Sequence, residues 1–299
     1  MMHRIFVLFL FLAFACQEQT GNVKQNIPDL QRQSKNKKVV KFGVIARYSP
    51  RLIYQGYQPI MDYLTSETPF QFQLKLSKTY DEALNFLRRD SVQIASLGTY
   101  SYVEAHDSFG AQCILKPLNA QGNPSFQGII IVRNDSPIHN LFDLKGKKIA
   151  FAAQKATAGY LIAKHALHSA GLALSDLEYF TNIEHHNAIV NAVLRGEYDA
   201  GAVKDVIAYK NEHKGLRFIY ISDPIPSVPI AVGAHTDSLL VQEVKRALLK
   251  LDPNNPDHRN MMQNWDTEFK NGFVPASDED YYPIRDLIDI VAKEEKGAE

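Results

Sequence analysis

Residues 153–167 read AQKATAGYLIAKHAL, follow the apolar run KKIAFA and open a helical pattern. A strand-to-helix turn built from small residues can hold an anion, because the first helical N–H groups lack partners and the helix dipole favours negative charge. One hydroxyl, Thr157, stands there between Ala156 and Ala158, with Gly159 next. It could donate to an anion or cap its own helix. Two further positions carry comparable chemistry. Tyr80 follows Thr79 at a predicted helix start, as a donor phenol or an ordinary first-turn aromatic. His186 stands beside His185 at another helix start, where a neutral imidazole could donate to an oxyanion; the alternative is a surface pair.

Other reactive residue types lead less far. His165 and His168 have a spacing compatible with metal binding, but no cysteine or carboxylate cluster accompanies them, so an exposed or packed helix face is the expectation and no metal is assigned. Cys113 lies in AQCILKPL, a buried strand by its pattern, where thiols are usually inert. Gly-x-Ser-x-Gly, Gly-x-x-x-x-Gly-Lys, His-Glu-x-x-His and Cys-x-x-Cys motifs do not occur, so neither catalysis nor a cofactor is called for.

The elements that must position these residues alternate. VVKFGVI is a strand ending at the polar turn ARYSPR, and YQPIMDYLTSE is a helix. FQLKLS is a strand, and Thr79 and Glu82 have capping-box spacing at the start of TYDEALNFLRRD, with Leu84 and Leu87 on its buried face. SVQIASL and GTYSYVEAH continue the series, with Tyr100 and Tyr102 expected to pack. A second unit runs from SPIHNLFDLKGKKIAFA through the Thr157 helix, LEYFT, HHNAIVNAVLRG and DAGAV to RFIYIS. The succession predicts parallel, doubly wound sheets. The layout is α/β, with two doubly wound lobes joined by a two-strand hinge. Lobe 1 covers 39–127 and 230–299, lobe 2 covers 128–229, and the crossings fall near 126–133 and 224–234. A ligand in such a fold sits at the carboxyl ends of strands, between the lobes.

The chain has 299 residues, with 33 basic and 33 acidic side chains, so no net charge draws it to nucleic acid; 45% of it is hydrophobic, enough for globular cores. MMHRIFVLFLFLAFAC begins with a short basic segment and an apolar core too short to span a bilayer, which reads as an export signal over 1–15. Cys16 after Ala15 resembles a bacterial lipoprotein signal and would carry the lipid; a plain cleaved signal with an incidental cysteine is the alternative. Residues 16–38, polar and almost free of large apolar side chains, read as a tether between anchor and body. The expected location is the periplasm or the outer face of the envelope.

Five collinear segments, FGVI, IASLGTYSYVEA, SPIHNLFDLKGKKIAF, HHNAIVNAVLRGEYDAGAV and GFVPASDEDYYPIRDLI, resemble the periplasmic phosphate-, phosphite- and phosphonate-binding proteins of ABC importers. The resemblance runs from about Phe42 to Leu287. It implies a monomeric, noncatalytic protein that needs no cofactor and delivers a small oxyanion to an inner-membrane permease. The same fold could instead report ligand occupancy to a membrane receptor kinase.

The resemblance also implies a ligand set. The family cradle Ser-Thr-Ser-Gly corresponds to Ala156, Thr157, Ala158 and Gly159, the family tyrosine to Tyr80 and its histidine to His186. A second tyrosine falls at Phe126, and an acidic position falls at Val228, with Asp205 or Asp223 as replacements. Each hydrogen bond lost to a charged oxygen is worth about 1.5–3 kcal/mol. The expected wall is therefore apolar and short of donors, with Lys155 able to add positive charge if it turns inward.

Overall fold

The computed structural model describes residues 37–297. The predicted signal, Cys16 and nearly all of the predicted tether lie outside the described residues. The first run of elements is β1 (Lys38–Val44), α1 (Pro50–Glu67), β2 (Phe70–Leu76), α2 (Tyr80–Arg88), β3 (Ile94–Ser96), α3 (Thr99–Phe109) and β4 (Gln112–Pro117). β5 (Ser125–Phe126) leads into β6 (Gly128–Arg133), β7 (Lys148–Phe151), α4 (Ile162–Ser169), β8 (Tyr179–Asn182), α5 (His186–Leu194), β9 (Ala200–Lys204), α6 (Asp205–Asn211) and β10 (Leu216–Ile221). β11 (Ile225–Pro226) brings the chain back to β12 (Ile230–Val232), α7 (Ser238–Leu249), α8 (Pro256–Met262), β13 (Phe273–Pro275) and α9 (Tyr282–Gly297).

These strands build a six-stranded sheet in the order β13-β4-β12-β3-β1-β2 and a five-stranded sheet in the order β10-β6-β9-β7-β8. β5 and β11 pair only with each other, antiparallel, through Phe126 opposite Ile225. The result is two α/β lobes tied by two strands. The sheets are mixed where the sequence predicted parallel ones. β1 pairs parallel with β2 and β3, and β7 with β8 and β9. β12 runs antiparallel to β3, and β6 antiparallel to β9. The register supplies the reason. Ile230, opening β12, lies opposite Ser96 at the end of β3, and Gly128, opening β6, lies opposite Lys204 at the end of β9. A strand entering from the crossing starts where the parallel strands finish, so it can only run back along them.

Local signals behave as their chemistry dictates, with one shift. The Thr79 hydroxyl accepts from the Glu82 N–H at 3.1 Å, while the Glu82 carboxylate takes the Lys78 N–H, one residue earlier than a capping box requires. Leu84 and Leu87 face the core. Cys113 is buried on β4, and burial first pushes its thiol up to about 11, which keeps it protonated. Tyr102 is fully buried, 4.7 Å from the Tyr281 ring between centroids. The helix predicted from Thr157 opens as a wide π turn over Thr157–Leu161 before α4 begins. There the Gly159 carbonyl accepts from the Ala152 N–H at 2.8 Å, tying the turn to the end of β7.

β9 sits at the centre of its sheet, and all five of its residues are buried. Helix α5 lies on it so closely that a Cβ on Gly201 would meet Ile189 Cγ2 at 2.5 Å and Val193 Cγ2 at 2.9 Å. The Gly201→Ala protein is expected to lose about 1–3 kcal/mol of stability through overpacking; urea unfolding measures it, and an unchanged midpoint would contradict this packing.

Candidate functional site

The carboxyl ends of the parallel strands and the starts of the following helices bound a small gap between the lobes. Its volume is about 30 Å³, and it is lined by Tyr80, Phe126, Ala156, Thr157, Ala158, His186 and Val228 together with Ile45, Arg47, Gly98, Thr99 and Lys204. Six of the seven residues predicted from sequence therefore meet around one space. Gly159 stands behind it: a Cβ there would meet Ala152 Cβ at 2.4 Å and His186 Cε1 at 2.9 Å. Only glycine lets the turn and the imidazole approach so closely.

Two helix starts oppose each other here. α3 begins after Gly98 and the Thr157 turn after Ala156, and neither residue supplies a side-chain cap. The Thr99 hydroxyl donates to Thr157 Oγ1 at 2.8 Å, and the Tyr100 N–H donates to the same oxygen at 2.9 Å. Thr157 thus neither caps its own helix nor stands free. Its oxygen is occupied by the opposite lobe, and its own hydroxyl proton is what it retains for a third group. Both helix dipoles point their positive ends into one space.

His186 is 3% exposed. Burial first, then the charges of Lys204 and Arg47, hold its imidazole down to about 3, so it is neutral at ordinary pH. Its Nδ1 is buried and has no hydrogen-bond partner among the described residues. Its backbone N–H donates to the Arg47 carbonyl at 3.3 Å, and His185 Nδ1 lies 3.0 Å from the Ala46 carbonyl, which together bind the start of α5 to the other lobe. Tyr80 is buried, and burial raises its phenol, which therefore remains a donor.

The site departs from the sequence expectation in its charge. Arg47, from the turn after β1, and Lys204, closing β9, are both buried at the gap. Arg47 Nη1 donates to Glu268 Oε2 at 2.8 Å, and its Nη2 donates to Ser96 Oγ at 2.5 Å and to the Tyr57 hydroxyl at 3.3 Å. Lys204 Nζ donates to the other carboxylate oxygen of Glu268 and lies 3.8 Å from the centre of the Phe126 ring. Phe126 is thus a cation–π partner as well as an apolar wall. Burial and then the neighbouring guanidinium push the Lys204 ammonium down to about 7, against the opposing pull of the Asp205 and Asp266 carboxylates. Arg47 Nε is buried and has no hydrogen-bond partner among the described residues.

Lys155 does not turn inward: it donates to Asp81 and, at 2.8 Å, to Glu104, because two carboxylates on the facing helices draw it there. Asp205 accepts from the Gln127 and Val206 N–H groups and does not line the gap, and Asp223 is exposed. The carboxylate bonded to the two cations of the gap is Glu268, which does not itself line it. His165 and His168 face Glu294 at 2.8 and 3.1 Å, well away from the gap lining. Arg47 and Lys204 were detectable in principle as basic residues at strand ends that face a cleft; Glu268 carried no such signal.

Two mixed sheets tied by two strands around a gap lined with donors define a periplasmic binding protein. The chain belongs to the family described as "ABC transporter, phosphonate, periplasmic substrate-binding protein", whose model matches residues 42–281. It is 26% identical over 203 residues to the phosphonates-binding periplasmic protein of Escherichia coli, covering 64% of this chain and 60% of that one. It is 23% identical over 265 residues to a phosphate-import protein of Mycolicibacterium smegmatis, covering 80% and 81%. Among solved structures it is similar to the binding component of a phosphonate ABC transporter from Pseudomonas aeruginosa (TM-score 0.78, 19% identity, 87% and 88% covered). It is also similar to a methylphosphonate complex from Prochlorococcus marinus (TM-score 0.75, 18% identity, 86% and 99% covered).

Because native His186 titrates at about 3 and an unfolded histidine near 6.5, the unfolded chain binds more protons between these values. Stability is expected to fall as pH drops from about 6.5 towards 3. In His186→Asn that histidine-specific loss should disappear, so the variant's urea midpoint should decline less steeply over this window. Parallel declines in the two proteins would contradict a buried neutral imidazole.

Proposed function

We infer that this protein is the solute-binding component of an ABC importer, taking up a phosphonate-, phosphite- or phosphate-like small anion in the cell envelope and handing it to an inner-membrane permease. The observation that carries the reading is the convergence of two helix starts whose own N-cap residues supply no side-chain cap, and of two buried cations, one from each lobe, on one small gap. Each contributes positive potential in a site with little water, where charge-assisted hydrogen bonds are strong. Thr157, Tyr80 and His186 supply neutral donors, and Ala156, Ala158, Phe126 and Val228 supply the wall. The protein acts by binding alone, with no catalytic step. Lipidation at Cys16 would keep a monomeric receptor near its permease, and the lobes would close over the solute about the paired crossing strands β5 and β11.

A solute that binds the folded state stabilises it by RT ln(1 + [L]/Kd), about 2.7 kcal/mol at 100 times Kd. A thermal-denaturation screen against phosphate, phosphite, methylphosphonate, aminoethylphosphonate and uncharged small molecules is expected to raise Tm for at least one oxyanion and for none of the uncharged compounds. Thr157→Val should weaken that binding by about tenfold or more, since it removes one charge-assisted hydrogen bond. If no oxyanion shifts Tm, the reading fails.

A further inference from the structure

The Arg47, Lys204 and Glu268 group is more than a packed ion pair. Arg47 belongs to the lobe of the six-stranded sheet and Lys204 to that of the five-stranded sheet, and one carboxylate bridges them through its two oxygens. Glu268 itself belongs to the Arg47 side: its N–H donates to Asp266 Oδ1 at 3.1 Å, and the Tyr48 hydroxyl donates to its Oε2 at 3.3 Å. The gap borders both cations but not the carboxylate. Arg47 and His186 both line the gap, and Arg47 Nε and His186 Nδ1 are buried without a hydrogen-bond partner among the described residues. A carboxylate held between two cations has the geometry and charge of half an oxyanion ligand.

We propose that Arg47 and Lys204 are the charged solute-binding residues of this site, and that Glu268 is a resident counter-anion whose hold on both cations a compact oxyanion takes over when it binds. The proposal rests on the reading of the gap as a solute site. Glu268 lets two cations be buried side by side without a solute, since an unanswered buried charge is costly. It also ties the lobes together across the gap, so solute capture is an exchange of one anion for another and not the filling of a bare positive pocket. Selectivity follows from the same competition. A solute with a single, diffuse charge gains too little to displace the carboxylate, whereas a compact oxyanion offers two charged oxygens at once and also reaches the Arg47 Nε, the Thr157 hydroxyl and the helix-start N–H groups. The donors lost at Ala156, Ala158 and Phe126 are replaced by charge, one cation per lobe.

The test is calorimetric titration of the purified protein with phosphite, phosphate and methylphosphonate in a buffer free of these anions, alongside small-angle X-ray scattering before titration. Lys204→Met is expected to weaken binding at least tenfold. Glu268→Gln keeps the shape of the side chain and removes the competitor. It should tighten binding of the same anion at least tenfold and enlarge the radius of gyration measured without added anion. Should Glu268→Gln fail to fold, Glu268→Asp, too short to span both cations, is expected to move affinity in the same direction by about threefold. Binding by the unmodified protein with no gain, or a loss, in the Glu268 variants overturns the exchange and makes Glu268 a fixed support. Absence of binding by any of the three anions to any of these proteins overturns the solute reading itself, so the two failures are told apart.

Discussion

Two cations can lie buried beside one another in this molecule because one carboxylate, Glu268, bonds both, with buried Asp266 nearby. Bringing Arg47 and Lys204 out of water carries a desolvation penalty of several kcal/mol each. Their mutual repulsion adds to it: burial first, and the Arg47 charge second, depress the Lys204 ammonium. Glu268 offsets these terms by giving one oxygen to each. Breaking either contact would leave a buried charge unanswered, which in proteins costs about 3–5 kcal/mol. The triad therefore constrains where β1 ends, where β9 ends and how the segment before β13 is placed.

The rest of the gap is arranged around that charge. A histidine beside two cations is held neutral, so His186 contributes a polar nitrogen without adding to the repulsion. Phe126 offers its ring face to the Lys204 ammonium. The Thr157 turn is pressed against β7 and His186 closely enough to exclude any side chain at Gly159. Its hydroxyl oxygen is engaged by Thr99 and Tyr100 from the opposite helix start. The Thr99 and Tyr100 contacts run across the gap from one lobe to the other, whereas the packing at Gly159 lies within one lobe. Lys155, reaching across to Glu104 and Asp81, adds a more exposed tie at the edge, of the kind that contributes little to stability.

Much of the scaffold could be read from the chain because its signals are local. Alternating apolar runs and helical periods located nearly every element, Thr79 marked the start of α2, and the small residues around Thr157 marked a helix start open to an anion. What escaped was either short or returned from elsewhere. α6 follows β9 with no loop to announce it, and β13 has only three residues. The sequence predicts parallel sheets, and β6 and β12 depart from that, since direction depends on which end of the sheet the crossing strand enters.

The site divides along the same line. Residue type and position placed Tyr80, Thr157 and His186 at helix starts after strand ends, and the family resemblance implied lost hydroxyls at Ala156, Ala158 and Phe126, which pointed to a wall poor in donors. Whether that wall is apolar or charged was decided only in three dimensions. Arg47 and Glu268 are 221 residues apart in the chain and 2.8 Å apart in space. Coulombic energy depends on separation and on exclusion of water, and neither is encoded in sequence distance. The chain by itself determined where helix starts follow strand ends, because those signals are local; folding alone determined which cations face them and which carboxylate holds those cations.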